Sequence, residues 1–326
     1  MIKSIIKSKV VGVDISIHRT TYAIVDIRGN ILAEDYFNTS DYPDVNNFMA
    51  RLCESIYEMV EANGGYESIR SVGVSSPSAN GKTGCIVNAA NLPWKGIIPL
   101  AAMLRDRLGL AVGLANDAHI SALGEYVYGV AHGMKDFIVI SLGVGVGSCF
   151  FSDGKEHHGY EGYAGEIGHC LVLSNGRQCG CGKRGCLEAY VGAKGVVLTA
   201  QELMQESNEP SLMRQEANLT PLAIYEMCEQ GDKLAIETYR RTGEMLGIGL
   251  ANYASIINPQ AIILTGGISH AGHWLTDSAE ESFNENIFQN MRGHVQLMVS
   301  KLNDRERDVL GASVLAWEQP EYSLFK

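Results

Sequence analysis

The chain has 326 residues, 46% of them hydrophobic and 19% charged, with a formal net charge of −11. That length can bury substantial cores and suggests two domains, while the acidic balance argues against nucleic acid or an anionic membrane as the main partner. The longest apolar runs, such as 136–142, are too short to span a bilayer, and the N-terminal stretch is charged but lacks the apolar core of a signal peptide.

In chain order, an apolar strand carrying one acid, Asp14, is expected over 10–15. Strands over 21–26 and 30–34 follow in an antiparallel meander, with Gly29 and Asn30 supplying turn chemistry. Phe48, Met49, Leu52, Ile56, Met59 and Val60 recur at helical spacing, and Gly64 and Gly65 end that helix. A strand over 69–75 runs into a small polar loop at 75–81. The segment Asn91-Leu92-Pro93-Trp94 precedes a helix over 97–108. A buried strand over 111–115 ends at Asn116-Asp117, where the next helix begins.

The pattern then partly repeats. A strand over 136–142 meets the tight turn Gly143-Val144-Gly145, a strand returns over 148–152, and Asp153-Gly154 makes a second hairpin turn. This repetition suggests two related α/β halves, each opening with a phosphate-facing hairpin. Pattern alone places the domains at 1–120 and 121–307, with the end of the chain, 308–326, able to pack back on the first. Helices are expected over 188–205, 221–229 and 232–256. A strand over 259–265 runs into Gly266-Gly267. A helix over 277–290, a strand over 295–300 and a helix over 309–317 complete the chain.

The densest chemistry lies between Glu166 and Glu188. His169, Cys179, Cys181 and Cys186 offer one imidazole and three thiols, a donor set suited to a closed tetrahedral zinc site. A water-activating zinc keeps one position open, so four protein ligands point to a structural metal that fixes a loop. Glycines at 180, 182 and 185 let the backbone turn tightly enough for the sulfurs to converge. Free cysteines beside an unrelated histidine is the blander alternative, and it leaves those glycines unexplained. The other cysteines, Cys53, Cys85, Cys149, Cys170 and Cys228, are scattered in apolar contexts, as thiols in a reducing cytoplasm are.

Asn116-Asp117 follows a buried strand, the place where open α/β sheets bind ligands. Asp117 can serve there as a general base, or the dipeptide can simply cap the helix. Asn91, Asn116, Asp117, Glu166, His169 and Glu188 together offer the directed donors and acceptors that a polyhydroxylated ligand needs. Gly266-Gly267 allows close backbone approach, to a nucleotide or merely within a turn.

With these pieces in order, the sequence resembles the ROK family of sugar kinases and sugar-responsive repressors, and within it the bacterial glucokinase-like members. The pair Glu166-x-Gly168-His169 and Cys179-x-Cys181-Gly182-x-x-Gly185-Cys186-x-Glu188 carries the resemblance, joined by the segments starting at Asn91 and at Asn116. The resemblance runs from about residue 10 to residue 317. It implies an α/β, actin-like ATPase (ribonuclease-H-like) fold: two α/β domains around a cleft, with a structural zinc loop. It implies phosphorylation of a hexose hydroxyl by ATP and magnesium, and a homo-oligomer, dimer or tetramer. By position, Asp117 is the general base. Asn91, Asn116, Asp117, Glu166, His169 and Glu188 hold the sugar, and His169, Cys179, Cys181 and Cys186 hold zinc. Asp14, His18, Gly143 and Gly145 belong to the phosphate hairpins, and Gly266 and Gly267 lie against the adenosine. Repressor members carry a helix-turn-helix before the kinase-like part; here the first strand begins near residue 10, so no DNA-binding domain is expected.

The departures are specific. The family's first hairpin reads Asp-x-Gly-Gly-Thr, and this chain has Asp14-Ile15-Ser16-Ile17-His18. Two glycines that admit phosphate to the backbone are absent, and His18 stands where a threonine hydroxyl donates. The second turn has Val144 for a threonine, and the loop after Pro77 reads Ser78-Ala79-Asn80 where a glycine-bearing run is usual. Each lost phosphate donor weakens transition-state stabilisation by roughly 2.7–4 kcal/mol, by analogy with oxyanion-hole deletions. Two readings follow: an active hexose kinase with altered phosphate loops, or a catalytically impaired sugar-binding or regulatory protein.

Overall fold

The computed structural model describes residues 7–89 and 92–320. The chain folds as two compact units: residues up to His132 together with the segment from Leu302 onward, and residues Gly133–Lys301.

The first unit opens with β1 (Lys9–Ile15), β2 (Arg19–Asp26) and β3 (Ile31–Asn38), the expected meander with a longer third strand. Helix α1 (Val45–Ala62) follows, then β4 (Ile69–Ser75), the short strands β5 (Ala79–Asn80), β6 (Cys85–Val87) and β7 (Ile97–Ile98), α2 (Leu100–Leu108), β8 (Ala111–Ala115) and α3 (Asp117–Tyr128). The main sheet has the order β3-β2-β1-β4-β8. Val11, Val13 and Ile15 alternate with Gly12 and Asp14, so one face of β1 feeds a core with Phe48, Leu52 and Ile56 of α1. The Asp44 side chain caps α1 by accepting from the N–H groups of Asn46 and Asn47 at 3.0 Å. At the other end Gly65 N–H bonds to Val60 O at 3.0 Å, with Gly64 and Gly65 at positive φ.

The second unit runs β9 (Phe137–Leu142), β10 (Val146–Ser152), β11 (Lys155–Glu156), α4 (Glu188–Val191), α5 (Ala193–Glu206), α6 (Pro221–Glu229), α7 (Lys233–Ile257), β12 (Ala261–Thr265), α8 (His273–Asn286) and β13 (Gln296–Val299). Its sheet has the order β11-β10-β9-β12-β13. In both units an antiparallel hairpin is followed across the sheet by two parallel strands. The suggested repetition is therefore present in the strand pairing. Ile138, Ile140, Ile262 and Leu264 of the sheet pack against Leu246 and Leu250 of α7.

Four helix expectations are corrected: the helix expected over 97–108 starts at Leu100, since Ile97–Ile98 is a strand, and the one expected over 309–317 starts at Asp304. The helix expected over 188–205 is two helices, α4 and α5, broken at Gly192, whose backbone is extended. A Cβ there would stand 2.9 Å from the Glu188 carbonyl oxygen and 3.3 Å from that of Val144, so the break is where two segments press together. The helix expected over 277–290 begins four residues earlier by its own numbering, at His273, directly after Gly272 at φ 57.

The chain ends in α9 (Asp304–Glu318), which returns to the first unit and packs on β1, β4 and α3. Gly12, Gly73 and Gly113 stand in register on β1, β4 and β8. A Cβ at Gly12 would lie 2.5 Å from the Val309 carbonyl oxygen, and one at Gly73 would collide with that of Ala312. This glycine row lets α9 lie directly on the strands, which brings the start of the helix beside the end of β1. Among the described residues no helix is long and apolar enough to cross a membrane.

Candidate functional site

In the first unit the chemistry gathers at the carboxyl ends of β1, β4 and β8. Asp14 pairs in register with Ser75 at the ends of β1 and β4. Burial pushes its carboxyl up to about 8, helped by the charge of Asp308 and, less, that of Asp117, while Ser75 and Arg307 pull the other way. Asn116 is the N-cap of α3, its side chain accepting from Ala118 N–H at 3.0 Å. The capping role suggested by the dipeptide thus falls to Asn116. Asp117, the first residue of the helix, also accepts from Ala118 N–H at 2.9 Å. Asp117 faces solvent, yet the atoms packed around its carboxyl raise its pKa, opposed by the Ala118 N–H and by His119. A raised carboxyl is a stronger base once ionised.

Sequence reasoning missed three residues here. Ser121 stands one turn after Asp117 on α3 and donates to Asp308 Oδ1 at 3.0 Å. Buried Arg307 donates from Nε to the same oxygen at 3.1 Å and from Nη1 to Asp304 at 2.6 Å. Burial raises Asp308 to about 6, opposed by Arg307 and Ser121. An Arg-Asp pair at the start of an otherwise small and apolar helix was the available signal, but its partners come from α3 and β1, far away in sequence.

The first hairpin closes without glycine. Ser16 N–H and the Ser16 hydroxyl both donate to Arg19 O at 2.9 Å, and Arg19 N–H returns to the hydroxyl at 3.3 Å. Ile17 is half-buried and His18 exposed. The Arg19 guanidinium lies over the Tyr36 ring, 3.4 Å from its centroid. In the loop after β4, Ser78 adopts φ 57, a strained left-handed conformation that glycine takes freely. Asn91 lies outside the described residues.

In the second unit the donor atoms of His169, Cys179, Cys181 and Cys186 lie within 4.8 Å of one another. Cys179 Sγ is 3.7 Å from His169 Nδ1, and Cys181 Sγ is 3.7 Å from Cys186 Sγ. Three soft thiolates and an imidazole at this spacing fit a tetrahedral zinc. The loop is also tied down by the protein itself. Lys183 Nζ donates to His169 O at 2.7 Å, and Arg177 Nη1 donates to Gly195 O and Thr199 Oγ1, both at 3.0 Å. Arg177 carries no signal in the sequence pattern.

Glu166 is exposed just before the single turn Ile167–His169. That turn is pressed against β10: the Ser148 hydroxyl donates to Gly165 O, and a Cβ on Gly168 would collide with Val146 O. Glu188, the first residue of α4, accepts from Val146 N–H through Oε2 at 3.0 Å, and its Oε1 lies 3.7 Å from Cys179 Sγ. The 143–145 turn closes with Gly143 N–H on Gly145 O at 3.0 Å. Gly266, at φ 84, abuts Leu142: a Cβ there would stand 2.6 Å from Leu142 O. The structure therefore brings Gly143, Gly145, Gly266, Glu188 and the cysteine–histidine cluster into one neighbourhood. Asp14, His18, Asn116 and Asp117 belong to the other unit.

Residues 10–319 match the ROK family. A glucokinase from Streptomyces coelicolor is 30% identical over 317 residues, 94% of this chain and 97% of that one. A xylose repressor from Caldicellulosiruptor bescii is 27% identical over 300 residues, 91% of this chain and 75% of the repressor. The solved structure of a ROK family glucokinase from Streptomyces griseus, in complex with glucose and AMPPNP, aligns with a TM-score of 0.79 and 30% identity, covering 95% of this chain and all of that one.

Proposed function

The chain belongs to the ROK family, as a glucokinase-like member with the actin-like α/β fold, and on that premise we propose that it is an ATP-dependent hexose kinase with Asp117 as general base. The single observation that carries the proposal is the position of Asp117, at the end of β8 and the head of α3, with a carboxyl raised by its surroundings.

In the reaction the Asp117 carboxylate takes the proton of one sugar hydroxyl as that oxygen attacks the terminal phosphorus of ATP, and ADP departs. Asn116 fixes the backbone on which Asp117 stands. Glu166, His169 and Glu188 supply acceptors and a ring N–H for the remaining hydroxyls, together with Asn91. The glycines at 143, 145, 266 and 267 leave backbone open to the nucleotide. Zinc, held by His169, Cys179, Cys181 and Cys186, would supply no chemistry beyond fixing the loop that carries the sugar-binding side chains. Asp14 at the end of β1 would face the magnesium-bound phosphates.

The second reading, a sugar-binding protein with impaired transfer, is favoured by one feature: the first hairpin. Its turn is closed by Ser16 onto Arg19, and Asp14 holds its proton up to about 8. A protonated carboxyl is a poor partner for magnesium. A coupled ADP-release assay with a hexose panel, alongside calorimetric titrations of hexose and ATP, tests both. Turnover with tight ATP binding supports the kinase; hexose binding without ATP affinity at any pH from 6 to 9 overturns it.

A further inference from the structure

The geometry points to Glu188 as a positioning residue for the 143–145 turn, a task distinct from any contact it makes with sugar. The inference rests on the reading of that turn as the nucleotide-facing one.

Both ends of the turn are fixed from the same short segment. At the far end, Val146 N–H donates to Glu188 Oε2 at 3.0 Å. At the near end, Gly143 O accepts from Ala193 N–H at 2.9 Å. Between these anchors the chain runs from α4 through Gly192 into α5, and Gly192 N–H bonds back to Glu188 O at 3.0 Å. A four-residue helix and an extended glycine thus form a bracket whose two arms grip the two ends of the turn.

The carboxylate lies directly behind the turn. A Cβ at Gly145 would stand 2.7 Å from Glu188 Oε2. A side chain at 145 would push the tip of the Glu188 carboxylate away from Val146 N–H. Conversely the carboxylate fits there because Gly145 has no side chain. The bond from Val146 N–H to Glu188 holds the start of β10 in place. The other carboxylate oxygen lies against Cys179 Sγ, and Cys186 is two residues back along the chain. The segment that supports the turn thus follows directly on the cysteine cluster.

A structural brace and a plain sugar ligand respond differently to substitution. Glu188→Gln keeps an oxygen that accepts from Val146 N–H; Glu188→Ala leaves that N–H without it. The test compares both with the natural chain by amide hydrogen exchange over 143–147 and by calorimetric titration with a non-hydrolysable ATP analogue and with glucose. The expected result is about tenfold faster exchange and about tenfold weaker nucleotide binding in the alanine variant, with the glutamine variant within about threefold of the natural chain in both. Glucose binding weakens in both variants. Exchange and nucleotide affinity equal in all three proteins overturn the inference, as does a glutamine variant as impaired as the alanine one. If the natural chain binds no nucleotide, the kinase reading fails, and exchange at 143–147 alone decides whether Glu188 holds the turn.

Discussion

The two hairpins occupy equivalent places in two sheets with the same pairing pattern, yet they close differently. Between β1 and β2 the backbone bond from Ser16 N–H to Arg19 O is doubled by the Ser16 hydroxyl, and the turn contains no glycine. Between β9 and β10 the backbone bond from Gly143 N–H to Gly145 O is backed by the Glu188 carboxylate from another segment, with glycines at 143 and 145. At the strand ends, Asp14 pairs with Ser75 in the first sheet, while Ser141 pairs with Thr265 in the second. Strand pairing fixes where a hairpin stands, not what approaches it. Gly145 has the Glu188 carboxylate behind it, whereas a Cβ at Gly143 would stand in open space.

The sharpest test of that contrast concerns the unit with the altered hairpin. If its chemistry survives, Asp117→Asn lowers kcat by about 10³, the central range for a lost general base, with glucose affinity within about threefold. Turnover retained by the variant would place the base elsewhere. Next in size is repair of the first turn. Ser16→Gly, Ile17→Gly and His18→Thr, combined with Val144→Thr, restore donors worth roughly 2.7–4 kcal/mol each when well placed. An increase of about 10² in kcat/KM for ATP is expected, less than the sum because the new turn must also give up the Ser16 bonds. An unchanged value means that the first hairpin does not limit transfer. Smaller still is the effect of the metal. Cys181→Ser, or chelation, frees the loop that presents Glu166 and Glu188, and hexose affinity should fall roughly tenfold. Hydrogen exchange should rise over 166–188 and stay unchanged over 9–26. Unchanged hexose affinity in protein shown to be metal-free would separate the sugar site from the cluster.

Much of this was legible in the sequence because the determinants are local. The apolar run of β1, the helical spacing of α1 and the cysteine-glycine run all act within a few residues of themselves. The break at Gly192 was not legible: the apolar residues of α4 and α5 together keep helical spacing, while Gly192 between them is extended. Nor was the surrounding of Asp14. Arg307 and Asp308 reach it because three glycines on three strands let α9 lie flat, and no local pattern announces a row spread over 12, 73 and 113. Glu188 was legible as a polar residue near the cysteine–histidine cluster, but its bond to Val146 depends on how α4 meets β10.

The smallest expected effect reads that hidden acid cluster through pH. Asp14 has a folded pKa of about 8 against an ordinary 3.8. Between those values the folded chain holds a proton that the unfolded chain has released. Stability from this group is then complete below about 4 and is lost as pH rises through about 8. The groups that face it are Asp308, Asp117, Ser75 and Arg307, and Asp308 is the largest charge acting against ionisation. Asp308→Asn removes that charge, while an amide oxygen can still accept from Ser121 and from Arg307 Nε. The Asp14 carboxyl then ionises at lower pH, and the variant loses less stability on going from pH 6 to pH 9. A relative gain on the order of 1 kcal/mol at pH 9 is expected, about one pKa unit's worth, seen as higher melting temperatures on the alkaline side. The matching change at the second hairpin, Ser141→Ala, removes no charge and should leave the slope of stability with pH untouched. Parallel pH curves for Asp308→Asn and the natural chain would mean that Asp14 and Asp308 do not share a field, and the two hairpins would then differ in how their turns close but not in electrostatics.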